Sequence, residues 1–583
     1  MKRTSFLALA LSLAVLSVSA ANGWAQAPKP SERAVAKATT TANAPAKTFV
    51  ASAVRQAAFR KSASLITGAQ LKDYLSFVAS DEMEGRTTPS RGLDTTARFI
   101  ATQLSRWGVK PAGDEGTYFQ KITLKKEKLV PEGTEVDFGG RKFTYGKDFL
   151  AAAPGGSASG AMVFAGDGWF VKDKGIDAYK DIDPKGKIVI VTQGGMPPGL
   201  TQQDMMKLVT GGKRGEDWMD PMAYARKKGA VAVIVLQSLF AQANPDAMAQ
   251  ARKATEEGTF TVEKLAVDPG QAPLPTVVAH LPLAQAILAR EKPDVRTILM
   301  SFPGGTPVKP FALADDKKIS ITVKTSSETV TSQNVVAVVE GSDPSLKQEY
   351  VALGAHYDHS GTATNAVKGD AILNGADDDG SGTVALLAMA EALARSPERP
   401  KRSTLFVWHM GEERGMWGSR YFTQFPTVPL EKVVAQLNID MIGRSRPEGD
   451  NDPRNKDLSG PNELYVIGSK MMSTELGALS ESVNDAYLKL SFNYKYDDPK
   501  DPERFFYRSD HISYARKNIP IIFYFTGVHA DYHQVSDEVS KIDFPKFEKI
   551  TRTIFATMWE LAEMKSRPKV DKELPAEARG FGF

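Results

Sequence analysis

The 583-residue chain is 42% hydrophobic and 24% charged, enough apolar material for two or three globular units. Its formal charge of +4 is small for that length, and basic residues are mixed with acidic ones, which argues against a nucleic-acid partner. There are no cysteines, so a disulfide framework is excluded and any metal must be held by nitrogen and oxygen.

The chain opens with "MKRTSFLALALSLAVLSVSAANGWAQA": a short basic start, an apolar run, then small residues. That layout predicts a cleaved signal peptide over 1–20, with cleavage after Ala20 or as late as Ala27. The apolar run is too short to span a bilayer comfortably, so no stable membrane insertion is expected after cleavage. A bacterial periplasm or the cell exterior is the expected location. Residues 28–62, rich in Ala, Lys, Thr and Pro, read as a flexible linker. Ordered sequence is expected from Ala63, with helical spacing of Leu71, Tyr74, Leu75 and Val78 and a second helix in "LDTTARFIATQLSRWG" stopping at Gly108.

The block 131–310 differs in texture. Short β-rich runs ("GAMVFAG", "GKIVIVTQ", "AVAVIVLQ", "LPTVVAHL") are separated by Gly and Pro turns, with one good helix in "PMAYARKKG". Its single histidine, His280, follows an apolar strand and reads as structural. The block is expected to be an inserted domain without chemistry of its own, dividing 63–130 from a main domain over 311–565; 566–583 form a tail.

After Ser332, buried strands alternate with helices: "NVVAVVEG", "YVALGAHYDH", helix "GTVALLAMAEALARS", strand "STLFVWHM", a helix after Gly415, "AQLNIDMIG" and "PIIFYF". This predicts an α/β fold, a mixed and mostly parallel sheet sandwiched between helices. Ligands bind such sheets beyond the carboxyl ends of the strands, and the candidate residues fall there. His356 and Asp358 share a face at the end of one strand, where one can bind a metal and the other orient it. The loop "NGADDDGSG" carries Asp377, Asp378 and Asp379, for which a capped turn is an equal reading. Glu412 and Glu413 are adjacent after a very apolar strand; one can hold metal while the other moves protons. Asp440 interrupts an apolar run, an expensive position without a cation. His529 and His533 follow the last strand. Six of the seven histidines lie between His356 and His533, which core packing alone does not explain.

"GAHYDH", "NGADDDGSG", "GEERGMWGS", "NIDMIG", "YRSDH" and "DYHQVSDE" occur in the order and approximate spacing of the co-catalytic zinc aminopeptidases of the M28 peptidase family. The resemblance extends from about Ala63 to Met564, and the inserted block resembles that family's protease-associated domain. It implies a zinc exopeptidase fold and two zinc ions, one held by His356 and Asp440 and one by Glu413 and His533, with Asp378 bridging them. Glu412 would be the general base, Asp358 the partner behind His356, and Tyr532 a donor to the developing oxyanion. His359, His409, His511 and His529 match no ligand position and are left as structural or pocket-lining. Met416 and Trp417 are ordinary substitutions within the glutamate motif.

The reading is an exported enzyme that removes amino-terminal residues from peptide substrates. Glutaminyl cyclase, carboxypeptidase or dipeptidase activity on the same fold, or a non-catalytic binding role, are the alternatives. The preferred side chain and the oligomeric state are not written in these motifs.

Overall fold

The computed structural model describes residues 49–193, 197, 199–201, 204, 205, 208, 213–265, 274–301, 307–574 and 578. The expected signal peptide and the linker up to residue 48 lie outside them. Among the described residues the chain divides into two compact units, 49–122 with 331–574, and 123–330.

The unit over 49–122 and 331–574 is built on β1 (Thr325–Val339, from residue 331 onward), β2 (Tyr350–His356), β3 (Ser403–His409), β4 (Val433–Ile439), β5 (Glu463–Ile467), β6 (Ser491–Asn493) and β7 (Ile521–Phe525). They lie in the order β1-β3-β2-β4-β7-β5-β6. β3, β2, β4 and β7 are parallel to their neighbours, whereas β1 joins β3 and β5 joins β7 antiparallel. All residues of β3, β4 and β7 are buried, so polar residues do not alternate along them and both sheet faces are covered. Helices α1 (Gly68–Val78), α2 (Arg91–Arg106), α3 (Gly382–Ala394) and α6 (Phe544–Glu563) form one group. α4 (Trp417–Gln424) and the short turn of helix His511–Ala515 pack together on β3, β4 and β7; α5 (Thr474–Ala486) lies against α6. As expected, α2 stops at Gly108, whose φ of +68° suits a residue without a side chain.

Residues 49–62 are not a linker. Phe59 is fully buried against Phe555 and Trp559 of α6, and the Glu560 carboxylate accepts the N–H groups of Ala53 and Val54. A few apolar residues suffice because a preformed helix supplies the other half of the contact.

The second unit reaches beyond 131–310. Ile319–Val323 pairs with Glu135–Phe138 and Gly156–Gly160 in a four-stranded antiparallel sheet. A six-stranded sheet has parallel central strands, Met162–Phe164, Ile188–Thr192, Ala232–Leu236 and Thr276–Ala279. It also holds more helix than its β-rich texture suggests: Pro245–Glu257, Leu281–Leu288 and Val295–Met300 join Pro221–Lys227. Pro245–Glu257 begins at an Asn244 cap and is rich in Ala, Gln, Arg, Lys and Glu, good helix formers that leave only a faint apolar stripe. His280 is buried, and its Nδ1 lies 2.8 Å from the Lys147 carbonyl oxygen.

Candidate metal centre

The carboxyl ends of β3, β2, β4 and β7 open on one cleft lined by Asp378, Glu412, Asp440, Tyr532 and His533. His356 is the last residue of β2, Asp440 follows β4 directly, Glu412 and Glu413 follow β3, and His533 lies in the loop after β7. Asp378 arrives on the wide turn Ala376–Ser381 that leads into α3.

Asp378 sits between two histidines. Its Oδ1 is 3.3 Å from His356 Nε2 and its Oδ2 is 3.1 Å from His533 Nε2. On the first side, His356 Nε2 is 3.7 Å from Asp440 Oδ2. On the second, His533 Nε2 is 3.2 Å from Glu413 Oε2. Donor atoms around a tetrahedral zinc at ordinary bond lengths lie about 3.4 Å apart, so both halves have the spacing of a coordination site, with one carboxylate turned toward each.

The electrostatics fit cations as well. Burial works against charge on His533, but hydrogen bonds and charges from Asp378 and Glu413 push its pKa up to about 11. Burial likewise opposes protonation of His356, and Asp440, Asp358 and Asp378 outweigh it, raising the value well above normal. Burial and the Asp378 charge oppose ionisation of Glu413, yet His359 and His533 hold it down to about 2. A buried cluster that draws protons onto its histidines is short of positive charge. His356, Asp378, Asp440, Glu413 and His533 could hold metal there, and His359 and Asp379 also bring a donor atom within reach of one half each.

Glu412 is set apart from this pairing. Burial, reinforced by Glu413, Asp440 and Asp510 and opposed by His356, keeps its pKa well above that of an ordinary carboxylate. Its backbone N–H donates to Asp358 Oδ1 at 3.1 Å, and that oxygen lies 3.6 Å from His356 Nδ1. The nearer partner of His356 Nδ1 is the Asp358 main-chain oxygen at 3.2 Å, so Asp358 contacts the ring through backbone and side chain together. Tyr532 stacks on His533 with ring centroids 4.0 Å apart.

The other two aspartates of the triplet are used structurally. Asp379 Oδ1 accepts from Gly382 N and Met441 N, and its Oδ2 from His356 N, fastening the start of α3 to the ends of β4 and β2. Asp377 Oδ1 accepts from Gly443 N, and its Oδ2 lies 3.2 Å from His529 Nε2. Met441 and His533, each beside or within the cluster, have φ of +56° and +54°, strain of order 1–3 kcal/mol that the surrounding contacts must offset.

Three contributors escape a reading of the sequence. Arg86, fully buried, donates to the carbonyl oxygens of Tyr357, Val78, Asn374 and Gly375; burial lowers its pKa to about 10 against the pull of Asp358 and Asp378. Asp537 accepts the N–H groups of Asp377 and Asp378, fixing the bridging turn. His359 lies inside the cluster, its Nδ1 2.7 Å from Glu413 Oε1. Arg86 lies in "MEGR" and Asp537 in the quoted "DYHQVSDE", but both contact residues far away in sequence. His359 carried a visible signal, a second histidine three residues after the first.

Residues 334–558 match the family model described as Peptidase family M28. This segment is an M28 peptidase domain. Every residue of the cleft cluster lies within it, whereas Arg86 lies outside. Similar proteins include a probable zinc metalloprotease of Pyrenophora tritici-repentis, 30% identical over 271 residues, covering 41% of this chain and 53% of that protein. Leupeptin-inactivating enzyme 1 of Streptomyces exfoliatus is 25% identical over 322 residues, 55% of this chain and 62% of that one. The chain thus spans a little over half the length of these curated relatives. Among solved structures, an aminopeptidase from Aneurinibacillus sp. strain AM-1 aligns over 88% of this chain and 98% of its own, at 17% identity and a TM-score of 0.48.

Proposed function

We propose that the chain is an exported, zinc-dependent aminopeptidase that hydrolyses amino-terminal residues from peptides with two zinc ions and Glu412 as general base. The observation that carries this reading is Asp378, whose two oxygens each face a different histidine, with Glu412 beside them in the same cleft. His356, Asp440, Asp378, Glu413 and His533 would hold the zinc, which would supply an acidified water near pH 7 and a Lewis acid for the substrate carbonyl. The residues of the chain do the remaining work. Glu412, with its raised pKa, takes the proton of the attacking water and delivers it to the leaving amine. Tyr532 donates to the tetrahedral oxyanion, a contribution of about 3–4 kcal/mol where such donors have been removed. Asp358 couples the base to the ligand through Glu412 N and the His356 ring. Phe505, Phe523, Phe525, Val528 and Met441 line the cleft, which favours substrates with a bulky apolar first residue, while the surplus carboxylates attract a free ammonium group.

Export rests on the amino-terminal sequence, with the periplasm or the exterior as destination. Among the described residues no helix is long and apolar enough to cross a membrane. The unit over 123–330 is assigned as a protease-associated domain that shapes access to the cleft; a folded deletion variant with unchanged preference for long over short peptides would count against that role. The activity is tested on the purified chain with and without chelator, using aminoacyl arylamides and a substrate that reports carboxyl-terminal release. Chelator-sensitive release of amino-terminal residues, strongest for apolar ones, is expected. Cyclisation of amino-terminal glutamine, carboxyl-terminal release, or no turnover by zinc-loaded protein would overturn the assignment.

A further inference from the structure

His359 stands in the cluster without a part in the chemistry described so far. It is fully buried, and its position is fixed on several sides. Its backbone N–H donates to the Arg86 carbonyl oxygen, its ring meets the His533 ring edge-on at 5.5 Å, and Gly375 leaves the space the imidazole fills. A side chain at Gly375 would bring its Cβ within 2.6 Å of the ring. So held, His359 Nδ1 lies 2.7 Å from Glu413 Oε1 and 3.8 Å from Asp378 Oδ2. None of His359 Nδ1, His359 Nε2 and Glu413 Oε1 makes an aligned hydrogen bond among the described residues, so the 2.7 Å approach of Nδ1 to Oε1 is an ion-pair contact.

Two roles are open to such a histidine, and the distances separate them. Two donor atoms sharing a tetrahedral zinc lie about 3.4 Å apart, as His533 Nε2 and Glu413 Oε2 nearly do at 3.2 Å. A charge-assisted N–H···O⁻ contact is shorter, about 2.7–2.9 Å, and the separation of His359 from Glu413 falls there. Glu413 therefore has its two oxygens divided between tasks, Oε2 toward His533 and Oε1 toward His359.

We propose that His359 is a positioning residue for the second metal: it donates its Nδ1 proton to Glu413 Oε1, which turns Oε2 toward the ion and fixes the carboxylate as a single-oxygen ligand. This rests on the two-zinc reading above. Partners of this kind behind a ligand are typically worth ten- to hundredfold in metal affinity.

The test is zinc content of the full chain titrated across chelator-buffered free zinc, for wild type, His359→Ala and His359→Asn. An asparagine carboxamide nitrogen stands where Nδ1 stands and can donate, but an amide is a poor zinc ligand. The expected result is two ions in wild type, a second ion bound ten- to hundredfold more weakly in His359→Ala, and recovery toward wild type in His359→Asn, with the first ion unchanged throughout. If His359→Ala does not fold, His359→Leu fills the space without a donor and should show the same loss. Wild-type affinity for both ions in the alanine or leucine variant overturns the proposal. So does an asparagine variant as weak as alanine, which would put the imidazole on the ion itself or in packing alone. Fewer than two ions in wild type would instead overturn the two-zinc reading beneath it.

Discussion

The two units treat buried charge in opposite ways. In the unit over 123–330, buried charges meet an opposite charge and the backbone: Asp220 pairs with Arg214 and caps the helix Pro221–Lys227, and Lys317 pairs with Glu291 at 2.7 Å while donating to the carbonyl oxygens of Ile287 and Ala289. In the M28 unit, by contrast, the buried Asp378 and Asp440 and the half-buried Glu412 and Glu413 face one another and the histidines, with atoms such as Asp358 Oδ2 left without a hydrogen bond. Burial of charge is thus uninformative by itself. A charge matched by an opposite charge and by main-chain groups stabilises a fold; carboxylates turned toward each other and toward histidines form a site fit for a cation and for chemistry.

Substitutions can break that contrast. Glu412→Gln should lower kcat by about a hundredfold to ten-thousandfold, with KM changed far less and zinc retained, whereas Glu413→Gln should lose zinc together with activity. Zinc stoichiometry and kinetics measured side by side decide it, and zinc loss from Glu412→Gln would reverse the roles. Next, Arg86→Met strips four carbonyl oxygens of their donor and should destabilise the M28 unit by about 3–5 kcal/mol, read as a shift in the denaturant midpoint. A pH effect follows from His511, fully buried with its Nε2 2.9 Å from the Phe506 carbonyl oxygen and its pKa lowered to about 4 by burial. Between the ordinary value near 6.5 and 4 the unfolded chain holds the extra proton, so stability falls as pH drops through that window, by up to about 3 kcal/mol. His511→Phe should flatten this part of the acid limb; an unaltered limb would assign it to other groups. Smallest is Lys317→Met, expected to cost about 2 kcal/mol by leaving Glu291 unpaired while zinc content stays as in wild type. Loss of zinc there would erase the distinction between the units.

The sheet of the M28 unit was legible because runs such as "STLFVWHM" are apolar without alternation, which only a doubly covered strand requires. The cluster was legible because His356, Glu412, Asp440 and His533 each follow such a run, where a charge has no place in a core. Arg86 and Asp537 were not, because both act on backbone groups brought near only by folding: Arg86 on Tyr357 and Gly375, Asp537 on Asp377 and Asp378. Residues 49–62 were misread for a related reason. Phe59 is one aromatic among many small residues, and its burial depends on α6, some five hundred positions later.

The grip of Arg86 also bears on modularity. A family match beginning at residue 334 reads as a portable cassette, yet the side chain holding the end of β2 and the approach to the Ala376–Ser381 turn is Arg86, nearly 250 positions earlier. A gene trimmed to 334–558 would encode every proposed ligand and leave the carbonyl oxygens of Tyr357, Asn374 and Gly375 without that donor. The structural unit that holds this centre is therefore discontinuous in sequence, 49–122 with 331–574, and 123–330 falls between its two parts.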